Sequence, residues 1–258
     1  MRSKLAVQLF TVREACASDM ANALERLKGM GWSGVQFAGL HGWSAARLAD
    51  KLRDLELRAA GLHYGYAPLL AGLEQHIEDA IALGTRDLVC SSIPIEMRTE
   101  DGYREVRKEL AQAAQHASKR GVRISYHNHA YEFEQEVDGM DGLSYLLEPS
   151  AGHAVLAEPD VYWIFRGGMP LLPFLERYAD RVPLIHLKDM TSDEKATFAP
   201  VGTGRIDFAP IAEWGERSGV EWYVVEQDRC EGDPFDALQT SYTNLQRIIA
   251  SMEDGTIN

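Results

Sequence analysis

Eight short runs of apolar and β-branched residues recur along this chain and alternate with longer stretches of helical periodicity. Strands that alternate with amphipathic helices predict βα units wound around a parallel sheet. The runs are Lys4–Phe10, Gly34–Ala38, Arg58–His63, Asp87–Ser91, Arg123–His127, His153–Asp160, Val182–Lys188 and Glu221–Asp228. Between them lie stretches such as MANALERLKGMG, SAARLADKLRDL, LEQHIEDAIALG and YREVRKELAQAAQHASKRG, with apolar residues three and four positions apart. MPLLPFLERYA, a turn or two around Phe208–Arg217, and Pro234–Met252 supply the later helices, and Gly31, Gly84, Gly121 and Gly219 stand where helices prefer to stop.

Eight such units in 258 residues match a (β/α)8 TIM barrel, which closes around one core at about 250 residues. A single domain over residues 1–258 is therefore expected. A doubly wound open sheet is the alternative, but no GxGxxG turn follows the first strand.

Composition narrows the function classes. A formal charge of −13 disfavours nucleic acid, whose phosphates are held by clustered Lys and Arg. No apolar run approaches the length of a membrane span, and MRSKLAVQLFTV reads as a first strand rather than a signal peptide. Cys16, Cys90 and Cys230 are widely spaced and odd in number, which points to a reducing, cytoplasmic setting. A homo-oligomer is compatible with everything in the sequence.

In a barrel the C-terminal strand ends face the active-site mouth. Here they carry Gln8 and nearby Arg13, Gln36, His63, Ser91 and Ser92, then YHNH, EPD, HLKD and VEQD on strands five to eight. Period-two alternation places His127 with His129, Glu158 with Asp160, His186 with Lys188 and Glu226 with Asp228 on shared sides. A lone strand-end His or Asp is more often a cap or a surface charge. Four consecutive strands ending in ionisable groups are different, because burying unpaired charges costs several kcal/mol each. One divalent ion (Mn, Co, Zn or Mg) would satisfy such a mixed set of oxygen and imidazole ligands.

At these residues the chain resembles the sugar phosphate isomerase/epimerase family, xylose-isomerase-like barrels that include inosose dehydratase. QLFTVR, GVQFAGL, YHNHAYEF, EPDVYW, VPLIHLKDM, VGTGRIDF and WYVVEQDRC carry the resemblance over nearly the whole chain. It implies a metal held by Glu, Asp, His and Glu from strands five to eight. Asp160, His186 and Glu226 match, whereas His127 stands in place of the first Glu, with Glu132 and Glu158 as alternative ligands.

Among these residues Glu158, Glu226, His129 and Lys188 are the expected catalytic groups. His63, Arg13 and Trp163 are expected at the substrate, with Tyr162 a further aromatic neighbour and Arg205 a further cation. The glycines of VGTGRIDF suggest a loop free to close over the mouth. The expected activity is a metal-dependent isomerase or epimerase acting through an enediolate on a keto or aldo sugar. A lyase or dehydratase on a keto-sugar, keto-inositol or 3-keto-glycoside is the alternative, ahead of a metal-free sugar-binding protein or an endonuclease.

Overall fold

The alternation of strands and helices becomes an eight-stranded parallel barrel in the computed structural model, which describes residues 1–149 and 155–254. Its strands are β1 (Leu5–Gln8), β2 (Gly34–Phe37), β3 (Arg58–Gly65), β4 (Asp87–Ser92), β5 (Arg123–His127), β6 (Leu156–Glu158), β7 (Leu184–Leu187) and β8 (Trp222–Val225). Every residue of β1, β2, β7 and β8 is buried. A parallel sheet covered by helices on one side and filled by its own side chains on the other leaves no face for solvent.

The strands pair in the order β6-β5-β4-β3-β2-β1-β8-β7. Among the described residues, β6 and β7 meet at a single bridge between Asp160 and His186, where the His186 N–H donates to the Pro159 carbonyl at 2.9 Å. The ring thus closes through the ends of two strands rather than along their length.

The helices are α1 (Arg13–Met30), α2 (Ala45–Asp54), α3 (Tyr66–Ala71), α4 (Leu73–Leu83), α5 (Glu100–Ser118), α6 (Gly142–Leu147), α7 (Val161–Arg166), α8 (Leu171–Glu176), α9 (Ala209–Arg217) and α10 (Pro234–Glu253). Capping side chains set several starts: Ser44, Thr99, Asp141 and Asp233 each accept an N–H of the first turn. α1 begins seven residues before the periodic stretch at Met20, because the chain kinks at Asp19 (φ −153°, ψ 89°) and the Asp19 carboxylate caps a second segment through the Asn22 N–H at 3.1 Å. Gly31, at φ +102°, ends that helix, a conformation that a Cβ would strain.

β1, β2, β6, β7 and β8 are shorter than the apolar runs that foretold them, β5 matches its run, and β3 and β4 extend past theirs by two residues and one. β1 stops at Gln8, whose side chain accepts the Phe10 N–H at 3.2 Å and turns the chain into a short 3-10 turn. His153 and Ala154, expected at the start of the sixth strand, lie outside the described residues. The short helices α3, α6 and α7 and two small hairpins, Glu136–Val137 with Met140–Asp141 and Asp189–Met190 with Phe198–Ala199, have no counterpart in the periodicity.

At the N-terminal end of the barrel, Arg123 grips Asp87 through two nitrogens at 2.8 and 2.6 Å and Glu221 at 2.7 Å, tying β4 and β5 to the lead into β8. No described helix is long and apolar enough to cross a membrane.

Candidate metal centre at the barrel mouth

β5 to β8 deliver their terminal side chains to one cluster, and the local structure aims each of them. Asp160 is the N-cap of α7: its Oδ1 accepts the N–H groups of Tyr162 at 2.9 Å and Trp163 at 3.3 Å. Its backbone N–H donates to Asn128 Oδ1 at 2.9 Å. With Oδ1 committed to the helix, the buried Oδ2 faces the cluster, where the Lys188 Nζ lies 2.9 Å away.

Behind the cluster stands Glu158, fully buried on the barrel floor. Its Oε1 lies 2.5 Å from His63 Nε2, 3.0 Å from His186 Nε2 and 3.3 Å from His127 Nδ1. Oε2 accepts Gln36 Nε2 at 2.6 Å, and the Gln36 carbonyl accepts Gln8 Nε2 at 2.8 Å and meets His186 Nε2 at 2.7 Å.

The opposite nitrogens of the same two imidazoles face the mouth. His127 Nε2 is 3.9 Å and His186 Nδ1 4.0 Å from Asp160 Oδ2, and His186 Nδ1 is 3.1 Å from Glu226 Oε2. One ligand atom from each of His127, Asp160, His186 and Glu226 lies within 4.8 Å of the other three. Separations of 3 to 4 Å suit atoms placed about 2.1 Å from a shared ion, which would share the Asp160 and Glu226 oxygens with the Lys188 ammonium. His63, His127, Glu158 and His186 also group within 4.8 Å. There Glu158 Oε1 sits at hydrogen-bond distance from all three imidazoles.

Lys188 completes the charge pattern. Its buried Nζ lies 2.9 Å from Asp160 Oδ2, 2.9 Å from Glu226 Oε2 and 2.8 Å from Asp228 Oδ1. Burial opposes its charge, but these three carboxylates more than offset that and hold the ammonium above its usual range. Asp189, the adjacent carboxylate in sequence, takes no part. It points to the other side and accepts the N–H groups of Met190 at 2.7 Å, Gly202 at 2.9 Å, Gly204 at 2.8 Å and Ile206 at 3.2 Å. The glycine loop expected to act as a lid is therefore pinned, and a Cβ on Gly204 would fall 2.0 Å from the Met190 carbonyl. Its N–H groups, engaged by Asp189, are not free to cradle a phosphate.

Burial and neighbours divide the histidines. His127 is held well below its ordinary value by burial and by His186, and His129 falls to about 4 through burial and the Lys188 charge, so both are neutral. Against its burial, His186 is carried up to about 10 by Glu158 and Glu226. Asp160 rises to about 6 because burial outweighs Lys188.

A cavity of about 330 Å³ opens above the cluster, lined by Phe10, His63, Ser91, Ser92, His127, His129, Lys188, Glu226 and Asp228 among others. The remaining candidates are placed less centrally. Glu158 is fully buried and does not itself line this cavity, although it stands 2.5 Å from His63, which does. Glu132 is buried beneath the β5 loop, where it accepts Tyr126 Oη and the His129 N–H, both at 2.8 Å, so it does not turn back toward the cluster. Arg13 donates to the Phe10 and Asp228 carbonyls at 2.8 and 3.2 Å and bounds a neighbouring cleft. Arg205 is spent on the Thr191 and Asp193 carbonyls. Trp163 stands beyond Lys188, whose Nζ is 5.5 Å from its ring centre, while Tyr162 is buried against Phe198.

Asn128, Asp228 and Gln36 as a polar relay were not singled out for these roles by the sequence. Only the Asp228 contact had a signal, its period-two pairing with Glu226.

The comparisons with known proteins agree with this architecture. Inosose dehydratase from Geobacillus kaustophilus is 26% identical over 174 residues, covering 60% of this chain and 56% of that protein. An inosose dehydratase from Clostridium perfringens is 25% identical over an alignment covering 86% of this chain and 85% of the relative. The chain spans only about half the length of most of the curated relatives it matches. Among solved structures, a sugar phosphate isomerase/epimerase from Parabacteroides distasonis superposes with a TM-score of 0.79 at 22% identity, covering 95% of this chain and 94% of that one. The IOLI protein with a bound zinc atom superposes with a TM-score of 0.74 at 16% identity, over 96% and 98% of the two chains. These likenesses show the shared fold. The family model described as xylose isomerase-like TIM barrel matches residues 24–248, and the chain belongs to that family.

Proposed function

We propose that this protein is a metal-dependent enzyme that removes the proton beside the carbonyl of a small polyhydroxylated substrate, with loss of water as the outcome. The observation that carries this reading is the convergence of His127 Nε2, Asp160 Oδ2, His186 Nδ1 and Glu226 Oε2, with the outer imidazole nitrogens turned onto Glu158. Imidazoles oriented by a carboxylate behind them are the usual metal-facing form of histidine; His127 is already neutral, and His186, carried up by its carboxylates, would release its proton when an ion binds. A divalent cation held by these four residues supplies a Lewis acid that withdraws charge from a carbonyl oxygen and acidifies the adjacent C–H. Replacing a carboxylate by His127 in the set favours Mn²⁺, Co²⁺ or Zn²⁺ over Mg²⁺.

His129 is the group free to accept the proton. It lines the cavity, it is neutral at pH 7, and its buried Nδ1 has no hydrogen-bond partner. Lys188 holds Asp160, Glu226 and Asp228 together and keeps their charge from repelling an electron-rich substrate. The dehydratase names of the sequence relatives support elimination and a keto-inositol as a first substrate. Epimerisation is the second reading, favoured by a specific arrangement. His63 and His129 both line the cavity, with ring centres 5.1 and 5.3 Å from that of His127, as a pair of proton carriers would require.

Incubating metal-replenished protein with 2-keto-myo-inositol and with ketohexoses in D₂O, followed by NMR, tests both. Loss of water supports the dehydratase, and deuterium entering unreacted sugar supports the epimerase. Protein that binds no divalent metal and exchanges no carbon-bound proton refutes both.

A further inference from the structure

α7 runs from the metal centre to a second cleft. Its N-cap, Asp160, faces the cluster, and Trp163 and then Arg166 follow at three-residue steps, each about 60° further round the helix. From Asp160 to Arg166 the helix rises about 9 Å. Trp163 and Arg166 help to line a cleft of about 470 Å³ whose other walls are the hairpin loop bearing Lys195 and Phe198 and the β8–α10 loop bearing Arg229 and Glu231.

The cleft adjoins the mouth. Lys188, which lines the mouth cavity, lies 5.5 Å from the Trp163 ring centre and 5.8 Å from that of Phe198. Asp228 borders the mouth, while the next two residues, Arg229 and Cys230, border the cleft.

Two features give the cleft a chemical preference. Arg166, Lys195 and Arg229 against Glu231 leave it with a positive balance, in a chain whose formal charge is −13. Arg166 spends one nitrogen on the Ala196 carbonyl at 3.0 Å, while Lys195 and Arg229 are exposed at its rim. The half-buried Trp163 ring offers a flat apolar wall, and its Nε1 is buried with no hydrogen-bond partner. Aromatic faces take the apolar faces of rings, and guanidinium groups take carboxylates and phosphates through paired N–H donors.

We propose that this cleft is a distal subsite for a substrate larger than one sugar ring, in which Trp163 packs on the second unit and Arg229, Lys195 and Arg166 bind an anionic group, a carboxylate or a phosphate. The inference rests on the proposed reaction at the mouth and names the class of molecule that reaches it. A neutral monosaccharide would leave the cleft and its three cations unused.

Calorimetric titration of the full chain with matched probes tests it: trehalose against trehalose 6-phosphate for phosphate, and cellobiose against cellobionate for carboxylate. At least one charged probe binds about tenfold more tightly than its neutral partner, the return expected from one or two solvent-accessible charge pairs. The advantage falls away in about 1 M salt, where the Debye length is about 3 Å. Arg229→Gln combined with Lys195→Gln removes most of the advantage while leaving metal content and the affinity for the neutral partner as in wild type. Whichever pair shows the difference identifies the anion. Equal affinities within both pairs, or the same loss of charged and neutral binding in the double variant, overturns the subsite. The titrations are repeated after chelation and in Asp160→Asn. Because the cations of the cleft are not among the proposed ligands, the anion preference persists there, so a failure of the metal reading appears as wild-type protein without metal and not as a lost preference.

Discussion

Replacing Glu158 with Gln isolates the role of the residue behind the imidazoles. The change keeps the side-chain shape but removes the charge that faces His63, His127 and His186 from 2.5, 3.3 and 3.0 Å. All three rings face the same oxygen, Oε1, while Oε2 accepts the Gln36 amide, so a glutamine either turns its NH₂ group onto the imidazoles or sets it against Gln36 Nε2, and in both cases the two metal-facing histidines lose the charge that orients them. Residues that orient metal-ligating histidines are worth about 10- to 100-fold in metal affinity. Two of the four metal-facing groups share this one oxygen, which places the expected loss near the upper end, about 100-fold or about 2.7 kcal/mol. Competition of Zn²⁺ and Mn²⁺ between the protein and a chromogenic chelator measures it, with Asp160→Asn as the reference for loss of a direct ligand. An affinity within about threefold of wild type refutes the assignment of Glu158 as the orienting group. A loss as deep as that of Asp160→Asn makes Glu158 a ligand itself.

Lys188→Met leaves Asp160, Glu226 and Asp228 without their ammonium, which destabilises the metal-free protein by about 3–5 kcal/mol. Added Mn²⁺ or Zn²⁺ should then raise its Tm more than that of wild type, and an equal rise in the two proteins contradicts the charge balance drawn here. Asp189→Asn sets an NH₂ group against backbone N–H donors of the 202–206 loop; urea denaturation should show a loss of about 2–4 kcal/mol, with metal affinity unchanged. Glu132, raised by burial to about 7 from 4.5, makes the folded state bind more protons than the unfolded state between those values. Its contribution is therefore fully present below about pH 4.5 and lost as pH rises through about 7, by about 3 kcal/mol. Chemical denaturation across that range should show this slope in wild type and not in Glu132→Gln.

The barrel was legible because eight apolar runs at regular spacing admit few other folds. That Asp160, His186 and Glu226 stand near one another was legible because strand ends of a barrel share one mouth, whereas their selection as metal ligands came from the family resemblance and not from the period of two. What periodicity cannot report is depth. Glu158 and Asp160 occupy the same side of one strand, yet one lies beneath the imidazoles and the other above, and the difference is set by an N-cap hydrogen bond to α7. Nor does composition distinguish a glycine loop that moves from one that is held. The loop at 201–205 looks free in sequence, and only the turn of Asp189 away from Lys188 shows four backbone donors gathered on one carboxylate. His127 and Glu132 are separated by the same kind of local turn, which buries the glutamate under Tyr126.

The single bridge between β6 and β7 has a mechanical consequence. Among the described residues, seven joints of the ring are zipped by ladders, while the eighth is held by the Asp160–His186 bridge and by the Ala157 N–H donating to the Arg181 carbonyl at 2.9 Å. An ion held between Asp160 and His186 would act as a rivet in a joint that no ladder zips. Occupancy of the site and circumferential stiffness of the barrel would then rise and fall together, and the chain could open there, like a split ring, without unzipping any ladder.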